Sequence, residues 1–257
     1  MATLPGYRGV IFDIDGVLTY QGKVYPGAVQ LTDTLRDKGV ILRFLTNSTL
    51  KSRASCALKL RNAGFNVMDD EVVTSAFATA QYLKGLNPRS CWVLVDGEGG
   101  DEFYQFNQDT EDPEYIILGD NRSRFDFEHL NQVLRLLLKG ARLIAMQAEL
   151  LDTSQGDVIL NVGSWVGMLE RAAKVQAVIV GKPGAFGFEL TLQTMGLAKA
   201  EVLVVGDQLG TDILGAKRFG MQSALITAGE FDPADLNGKV APDYVFSSVI
   251  EVLGLFG

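Results

Sequence analysis

Short apolar runs alternate with amphipathic stretches along almost the whole chain. Continuous runs of valine, isoleucine, leucine and phenylalanine are typical of strands buried on both faces. Longer stretches with apolar residues at a helical period, opened by proline or closed by glycine, are typical of helices. The pattern predicts strands at residues 9–12, 40–45, 91–95, 115–118, 142–145, 177–180, 201–205 and 222–226. It predicts helices that include residues 26–38, 51–63, 127–139, 187–195 and 211–219.

This alternation of strands and helices indicates an α/β fold, in which parallel strands are joined by right-handed crossovers. Ligands bind to such sheets beyond the carboxyl ends of the strands, so the residues that follow each strand are the candidates for chemistry. The strand ends near 96, 119 and 146 differ from the others, and we expect them to belong to another unit. Residues suited to a charged ligand follow the other strands, at Asp13-Ile14-Asp15-Gly16, Thr46-Asn47-Ser48, Gly181-Lys182-Pro183, and Gly206-Asp207 with Asp212 shortly after.

The composition narrows the classes of partner. The chain has 257 residues, 47% of them hydrophobic and 21% charged, as in ordinary globular proteins of one large or two modest domains. Acidic residues outnumber basic ones by 31 to 23, and no lysine–arginine cluster stands out. Nucleic acid and anionic membranes are therefore not expected as partners. A small anionic substrate requires a local device that overcomes the negative charge, most simply a bound cation.

Cysteine and histidine are scarce. Cys56 and Cys91 lie in apolar or helical stretches, which favours two buried thiols in a reducing compartment. We read no signal peptide at the N-terminus, so we expect a cytoplasmic protein. The one histidine, His129, follows an aspartate cap in a helical pattern, where a partly exposed structural role is expected. The chemistry is therefore expected to depend on carboxylates.

The acids at the first strand end raise an electrostatic question. Alternation along a strand would bring Asp13 and Asp15 close together, and such carboxylates repel unless a cation or a shared proton lies there. With Asp207 they can hold one hard dication, and Mg²⁺ is favoured because it accepts carboxylates, water and substrate phosphate. One ionised aspartate can then attack phosphorus, while the second aspartate of the pair acts as general acid and then as base.

The residues at the other strand ends complete this hypothesis. Phosphoryl transfer mainly requires positioning and neutralisation of charge. Thr46 and Asn47 can donate hydrogen bonds to phosphoryl oxygens, and Lys182 supplies a positive charge. Asp212 lies early in the helix that follows Asp207, near enough to orient metal-bound water.

Each motif also has a structural alternative. The first two acids can form a turn, residues 46–48 can cap a helix, and Lys182 can be an ordinary solvated lysine. The four motifs together favour catalysis.

Two other functions would use the same residue types. A phosphotransferase or mutase would use the same site. A receiver-like phospho-switch also has Asp, Thr and Lys on a parallel sheet, but its acceptor ends a middle strand, and Asp15 would make the phosphorylated form short-lived.

The segments FDIDGVL, FLTNST, VGKP and GDQLGTDI resemble, in this order, the four motifs of haloacid dehalogenase-superfamily phosphatases. The flanking stretches VYPGAVQLTDTLRDKG and GAKRFGMQSALITAGE are similar to the class IIA branch, which includes 4-nitrophenylphosphatase-like and ribonucleotide monophosphatase-like proteins. The stretch HLNQVLRLLLKGARLIA resembles the sub-branch of phospholysine phosphohistidine inorganic pyrophosphate phosphatase. The resemblance covers essentially the whole chain.

The resemblance implies a Rossmann-like catalytic core, formed by residues 1–74 and 175–257, with an inserted C2-type α/β cap of residues 75–174. It implies that the substrate is a small phosphorylated metabolite. It also implies a homodimer that forms through the cap.

The resemblance assigns a role to each motif residue. It makes Asp13 the nucleophile and a Mg²⁺ ligand, and Asp15 the acid–base residue that binds the metal through its backbone carbonyl. Asp207 becomes a direct metal ligand and Asp212 a water-mediated one. The phosphate-binding residues that it implies are Thr46, Asn47 and Lys182.

The cap departs from the family pattern at one strand end. Relatives often carry T-N-P-D where this chain has Met146-Gln147-Ala148-Glu149. Substrate contacts of those relatives therefore do not transfer directly. We expect the cap to screen the leaving group through Gln147 or through Ser164 in a turn at residues 161–165 (NVGSW).

Overall fold

The computed structural model describes residues 6–152, 157–228 and 240–257. The chain forms two compact units. The first comprises Met1–Thr46, Arg53–Val73 and Gly187–Gly257, and the second comprises Asn47–Ser52 and Thr74–Phe186. Each unit contains a parallel β-sheet with helices, so the predicted α/β class is confirmed.

The strands and helices follow in close alternation. The strands are β1 (Gly9–Phe12), β2 (Thr19–Tyr20), β3 (Lys23–Val24), β4 (Ile41–Thr46), β5 (Val72–Thr74), β6 (Cys91–Leu94), β7 (Tyr115–Leu118), β8 (Arg142–Ala145), β9 (Leu151–Asp152), β10 (Ile159–Leu160), β11 (Val178–Ile179), β12 (Val202–Gly206), β13 (Gln222–Ile226) and β14 (Tyr244–Phe246). The α-helices are α1 (Ala28–Asp37), α2 (Arg53–Asn62), α3 (Ser75–Leu86), α4 (Phe127–Leu138), α5 (Val162–Ala173), α6 (Ala185–Met195) and α7 (Leu214–Phe219).

The first unit is built around a six-stranded sheet of order β14-β13-β12-β1-β4-β5. Strand β1 lies between β12 and β4 and pairs in parallel with both, so the carboxyl ends of these three strands share one edge. Phe12 and Phe44 are fully buried, and their rings stack with centroids 6.2 Å apart. Leu31 and Leu35, one helical turn apart on α1, belong to the same core. The continuous apolar runs of the sequence are thus buried on both faces.

The second unit contains a four-stranded sheet of order β11-β8-β7-β6, whose neighbouring strands are all parallel. Helices α4 and α5 bury apolar stripes in its core, represented by Leu137 and Leu169. Asp126 caps α4 by accepting a hydrogen bond from the backbone N–H of His129 at 2.8 Å. The aspartate cap and the structural role of the histidine follow the expectation from the sequence.

The strand before Lys182 differs from the expectation. We grouped it with the strands of the first sheet, whereas β11 pairs with β8 in the second sheet, with Val178 opposite Ile144. A short apolar run does not reveal which of two parallel sheets it joins, because both sheets bury such runs. The proposed cap of residues 75–174 stays a prediction.

Two local expectations are corrected. Residues 161–165 do not form a turn: Asn161 caps α5, and its side chain accepts a hydrogen bond from the N–H of Val162 at 2.8 Å. Glycine and serine in NVGSW suggested a turn, but the N-cap and the apolar face of α5 favour a helix. Helix α7 begins at Leu214, later than predicted, because a π-helical turn at Leu209–Ile213 precedes it.

Among the described residues, no helix has the length and apolar character needed to cross a membrane.

Candidate active site

Three of the predicted aspartates are brought together in the first unit. Asp13 follows β1, and its backbone N–H donates to the carbonyl of Val205 at 2.9 Å. Asp207 follows β12, which pairs with β1 in parallel, so the two acids emerge at the same edge of the sheet. Asp212 lies in the π-helical turn, where its carboxylate accepts from the N–H of Gln208 at 3.2 Å. Ligand atoms of the three carboxylates all lie within 4.8 Å of one another.

The environment of this aspartate cluster suits a hard cation. Asp207 is fully buried and Asp212 is 1% exposed, so little water can screen their negative charges. Three carboxylates supply only oxygen ligands, which are the ligands that Mg²⁺ and Ca²⁺ prefer. The set therefore fits a magnesium ion.

Two glycines leave room for the cluster. A Cβ atom at Gly16 would lie 1.9 Å from Oδ2 of Asp207, and a Cβ atom at Gly206 would lie 2.2 Å from Cβ of Asp212. Gly16 also has a φ of +89°, a conformation that costs other residues energy. Glycine at both positions is required for the carboxylates to sit where they do.

The carboxylate of Asp15 lies apart from this cluster. It is exposed, accepts a hydrogen bond from Nζ of Lys59 at 2.9 Å, and accepts another from Thr19 Oγ1 at 3.3 Å. Ile14 between the two acids is buried in the core. Because β1 ends at Phe12, strand alternation does not extend to Asp15, and its carboxylate is not among the three that group together.

The predicted phosphate-binding residues are divided between the two units. Thr46 is the last residue of β4 in the first unit and is 5% exposed. Asn47 and Lys182 belong to the second unit, where they are bound to each other. Nδ2 of Asn47 donates to the carbonyl of Lys182 at 3.1 Å, and the N–H of Lys182 donates to Oδ1 of Asn47 at 2.9 Å.

The two cap residues predicted to contact substrate make contacts within the second unit. Gln147 is 3% exposed and donates to Oδ1 of Asn161 at 2.7 Å. Ser164 donates to the carbonyl of Leu150 at 2.6 Å from the first turn of α5. The described structure thus gives both side chains a structural partner, and their contact with substrate stays a prediction.

Sequence reasoning missed two charged residues beside the predicted ones. Glu149 accepts a hydrogen bond from Nδ2 of Asn47 at 2.7 Å, and Lys59 binds Asp15. Glu149 had a signal in the sequence, because it ends the segment that departs from T-N-P-D. Lys59 had none, since nothing in the sequence distinguishes it from the other basic residues of α2.

Comparison with known proteins identifies the family of the chain. The family model of haloacid dehalogenase-like hydrolases matches residues 10–107, and a second model of HAD-hydrolase-like proteins matches residues 179–252. The phospholysine phosphohistidine inorganic pyrophosphate phosphatase of Bos taurus is 33% identical over 240 residues, which cover 90% of this chain and 87% of that protein. Haloacid dehalogenase-like hydrolase domain-containing protein 2 of Homo sapiens is 31% identical over 245 residues, 95% of this chain and 93% of that protein.

Solved structures extend the similarity to the fold. The 4-nitrophenylphosphatase of Thermotoga maritima superposes with a TM-score of 0.90 at 29% identity and covers 98% of both chains. NagD from E. coli K-12 superposes with a TM-score of 0.87 at 28% identity and covers 95% of this chain and 98% of that one. These neighbours represent the class IIA branch that the sequence motifs resemble. The chain belongs to the haloacid dehalogenase-like hydrolases, among the phosphatases of that family.

Proposed function

We propose that the chain is a Mg²⁺-dependent phosphatase that hydrolyses small phosphomonoesters through a phosphorylated Asp13. The observation that carries this proposal is the cluster of Asp13, Asp207 and Asp212, with ligand atoms within 4.8 Å of one another. Three converging carboxylates suit a divalent cation far better than a neutral ligand, because each neighbour raises the cost of keeping the others ionised. The motif order supports the assignment of Asp13 as the nucleophile.

The proposed reaction has two displacement steps at phosphorus. An oxygen of the Asp13 carboxylate attacks phosphorus, and the P–O bond to the leaving group breaks. The oxygen of the leaving group receives a proton from Asp15. In the second step Asp15 takes a proton from water, whose oxygen attacks the phosphorus of the aspartyl-phosphate. The acyl phosphate bond breaks, and inorganic phosphate and the Asp13 carboxylate are regenerated.

Asp13, Asp207 and Asp212 would hold the metal, with a further contribution proposed for the backbone carbonyl of Asp15. When bound, Mg²⁺ supplies positive charge that neutralises the phosphoryl oxygens and the carboxylates around it. In the described conformation Lys59 binds the carboxylate of Asp15. Lys59 and Thr19 both bind Oδ1, so proton transfer to a leaving group would use Oδ2 or follow the release of Lys59.

The phosphoryl group would be bound by Thr46 and Lys182. The Thr46 hydroxyl lies at a strand end on the same sheet edge as Asp13, which supports its role as a hydrogen-bond donor. The assignment of Lys182 rests on the motif VGKP and on the charge that phosphate requires. Binding of phosphate by the side chain of Asn47, which the sequence predicts, competes with the bonds that this amide already makes.

The names of the relatives suggest the first substrates to examine. They include a 4-nitrophenylphosphatase and a phosphatase of phospholysine, phosphohistidine and inorganic pyrophosphate. We expect the chain to hydrolyse 4-nitrophenyl phosphate with Mg²⁺, to lose this activity in EDTA, and to regain it when Mg²⁺ is restored. Turnover at an unchanged rate in EDTA would exclude the metal-dependent mechanism. Sedimentation of the active enzyme checks the predicted homodimer.

A further inference from the structure

The side chain of Asn47 is fully engaged within the second unit. An asparagine amide offers two N–H donors and one carbonyl acceptor. The two donors go to Oε1 of Glu149 at 2.7 Å and to the carbonyl of Lys182 at 3.1 Å. The carbonyl accepts from the N–H of Lys182 at 2.9 Å. A phosphoryl oxygen could therefore gain an Nδ2 hydrogen bond only if one of these bonds were broken.

The two hydrogen bonds between the Asn47 side chain and Lys182 fix the main chain of the lysine. One amide group pairs with both the N–H and the C=O of the same residue, as a neighbouring strand would do. Gly181 allows this close approach, because a Cβ atom there would lie 2.8 Å from Oδ1 of Asn47. Lys182 itself is only 3% exposed, so small displacements of its backbone would move a confined ammonium group.

Glu149 is in turn held by its own partners. Asn161 donates to Oε2 of Glu149 at 3.5 Å, while Gln147 donates to Oδ1 of Asn161 at 2.7 Å. The first turn of α5 contacts the same segment, since the N–H of Gly163 donates to the carbonyl of Glu149 at 2.9 Å. Gln147, Asn161, Glu149 and Asn47 thus form a continuous polar chain, which we call the Glu149 network.

The charge of Glu149 distinguishes its bond from the others in the network. Hydrogen bonds to an ionised carboxylate are stronger than those between neutral groups, and the bond to Glu149 is partly shielded from water. A bond from one Nδ2 hydrogen to Glu149 orients the whole Asn47 amide, because the group is planar. The orientation of that amide then determines where the Lys182 backbone lies.

We propose that Glu149 and Asn47 act as positioning residues that fix the backbone of Lys182. Asn47 then supports phosphate binding through Lys182 and not through its own side-chain amide. This inference rests on the proposed function for its catalytic consequence. Its structural part is independent of catalysis. Glu149, the last residue of the segment that departs from T-N-P-D, is therefore the anchor of the lysine turn.

Hydrogen exchange of the Lys182 amide tests the structural part. In Glu149→Gln we expect this N–H to exchange about tenfold faster than in the wild type, because the Asn47 amide loses its charged anchor. Glu149→Asp, which keeps the charge, should return the rate to within about threefold of the wild type. Glu111→Gln is the matched control, since Glu111 is an exposed acid of the same unit. An unchanged Lys182 rate in folded Glu149→Gln would overturn the proposal.

A double-mutant cycle tests the part that concerns phosphate. We expect Asn47→Ser and Glu149→Gln each to weaken inhibition by inorganic phosphate about tenfold, and the double variant to be no weaker than Asn47→Ser alone. Additive losses would show that Asn47 contacts phosphate on its own and would overturn the proposal. A wild-type protein without phosphatase activity would instead contradict the proposed function, and the exchange of Lys182 would still decide the positioning role.

Discussion

The two parallel sheets of this protein both carry acids at the carboxyl ends of their strands, but they treat these acids differently. In the first unit Asp13, Asp207 and Asp212 lie within 4.8 Å of one another. In the second unit Asp120 follows β7 and is bound by the guanidinium of Arg122 at 3.0 Å, which also binds Asp152 at 2.7 Å. One strand end thus gathers negative charge, and the other neutralises it with an arginine of its own.

The difference between the two sheets shows when acids at a strand end can bind a cation. A strand-end carboxylate with a built-in cation is a structural group, because its charge is already compensated and its lone pairs are occupied. Converging carboxylates have a binding capacity for an external cation, since their mutual repulsion falls when the cation arrives. Asp96, which follows β6, is held by neutral donors instead: it accepts from the hydroxyl of Ser123 at 2.6 Å and from its N–H at 3.1 Å.

The largest effect is expected from removing the proposed nucleophile. Asp13→Asn keeps the shape of the side chain but cannot form the aspartyl-phosphate, so we expect kcat to fall at least about 10³-fold. Asp96→Asn changes a strand-end acid of the second sheet, and its kcat/KM should stay within about threefold of the wild type. Hydrolysis of 4-nitrophenyl phosphate measures both. A near-normal rate in Asp13→Asn would show that this acid matters no more for hydrolysis than Asp96 does, and it would contradict the role of Asp13.

Two glycine variants distinguish the effect of backbone strain from the effect of damage to the aspartate cluster. Gly16→Ala would place a methyl group 1.9 Å from Asp207 at a φ of +89°. We expect kcat/KM to fall about 100-fold, in addition to a backbone cost of about 1–2 kcal/mol in stability.

Gly22→Ala is the control for this prediction. Gly22 has a similar φ of +77°, but a Cβ atom there meets nothing within 4 Å. This variant should therefore lose similar stability and keep its activity, as chemical denaturation and steady-state kinetics would show. Equal losses of activity in both variants would mean that strain alone explains the effect.

Neutralising one acid in each sheet should shift stability in opposite directions. Without metal, Asp207→Asn relieves repulsion in the cluster, and we expect a gain of about 1 kcal/mol, or about 2–4 °C in Tm. Asp120→Asn weakens an ion pair with Arg122, and a loss of about 1 kcal/mol is expected. Thermal unfolding in EDTA measures both. The Tm rise on adding Mg²⁺ should shrink in Asp207→Asn only. A fall in Tm for both variants would remove the contrast between the sheets.

The smallest effect concerns the two thiols, of which each unit contains one. Cys56 and Cys91 are both buried, and burial raises the pKa of the Cys91 thiol to about 11. Alkylation of Cys91 at pH 8 therefore requires a thiolate that is scarce in the folded protein, and alkylation of either buried thiol requires local opening.

Mg²⁺ bound at the aspartate cluster should slow alkylation of Cys56, which lies in the first unit, by a few-fold, and should change that of Cys91 less. Mass spectrometry after timed exposure to iodoacetamide measures the two rates separately. Equal protection of both thiols would show that the two units open together.

Prediction from sequence succeeded where local pattern is sufficient. The bounds of β1, β7, β8 and β13 agree with the predicted strands, because uninterrupted apolar runs bounded by polar or glycine residues have few alternatives. Asp13 and Asp207 were predicted only to follow two parallel strands, and the structure shows that these strands are neighbours. Prediction was weaker where contacts with other parts of the chain decide the structure. Strand β11 pairs with β8 of the second sheet, and the segment NVGSW begins α5 with Asn161 as its N-cap.

The sequence by itself determined the α/β class, the four motifs, and the acids that stand at strand ends, since these depend on residues that are neighbours along the chain. The tertiary structure decided which acids converge and which are neutralised. Arg122 reaches Asp152 across 30 positions and Glu149 reaches Asn47 across 102, and no local period encodes such distances. Asp15 formed, with Asp13, the pair that suggested a metal site, but its carboxylate binds Lys59, because the chain turns at the end of β1.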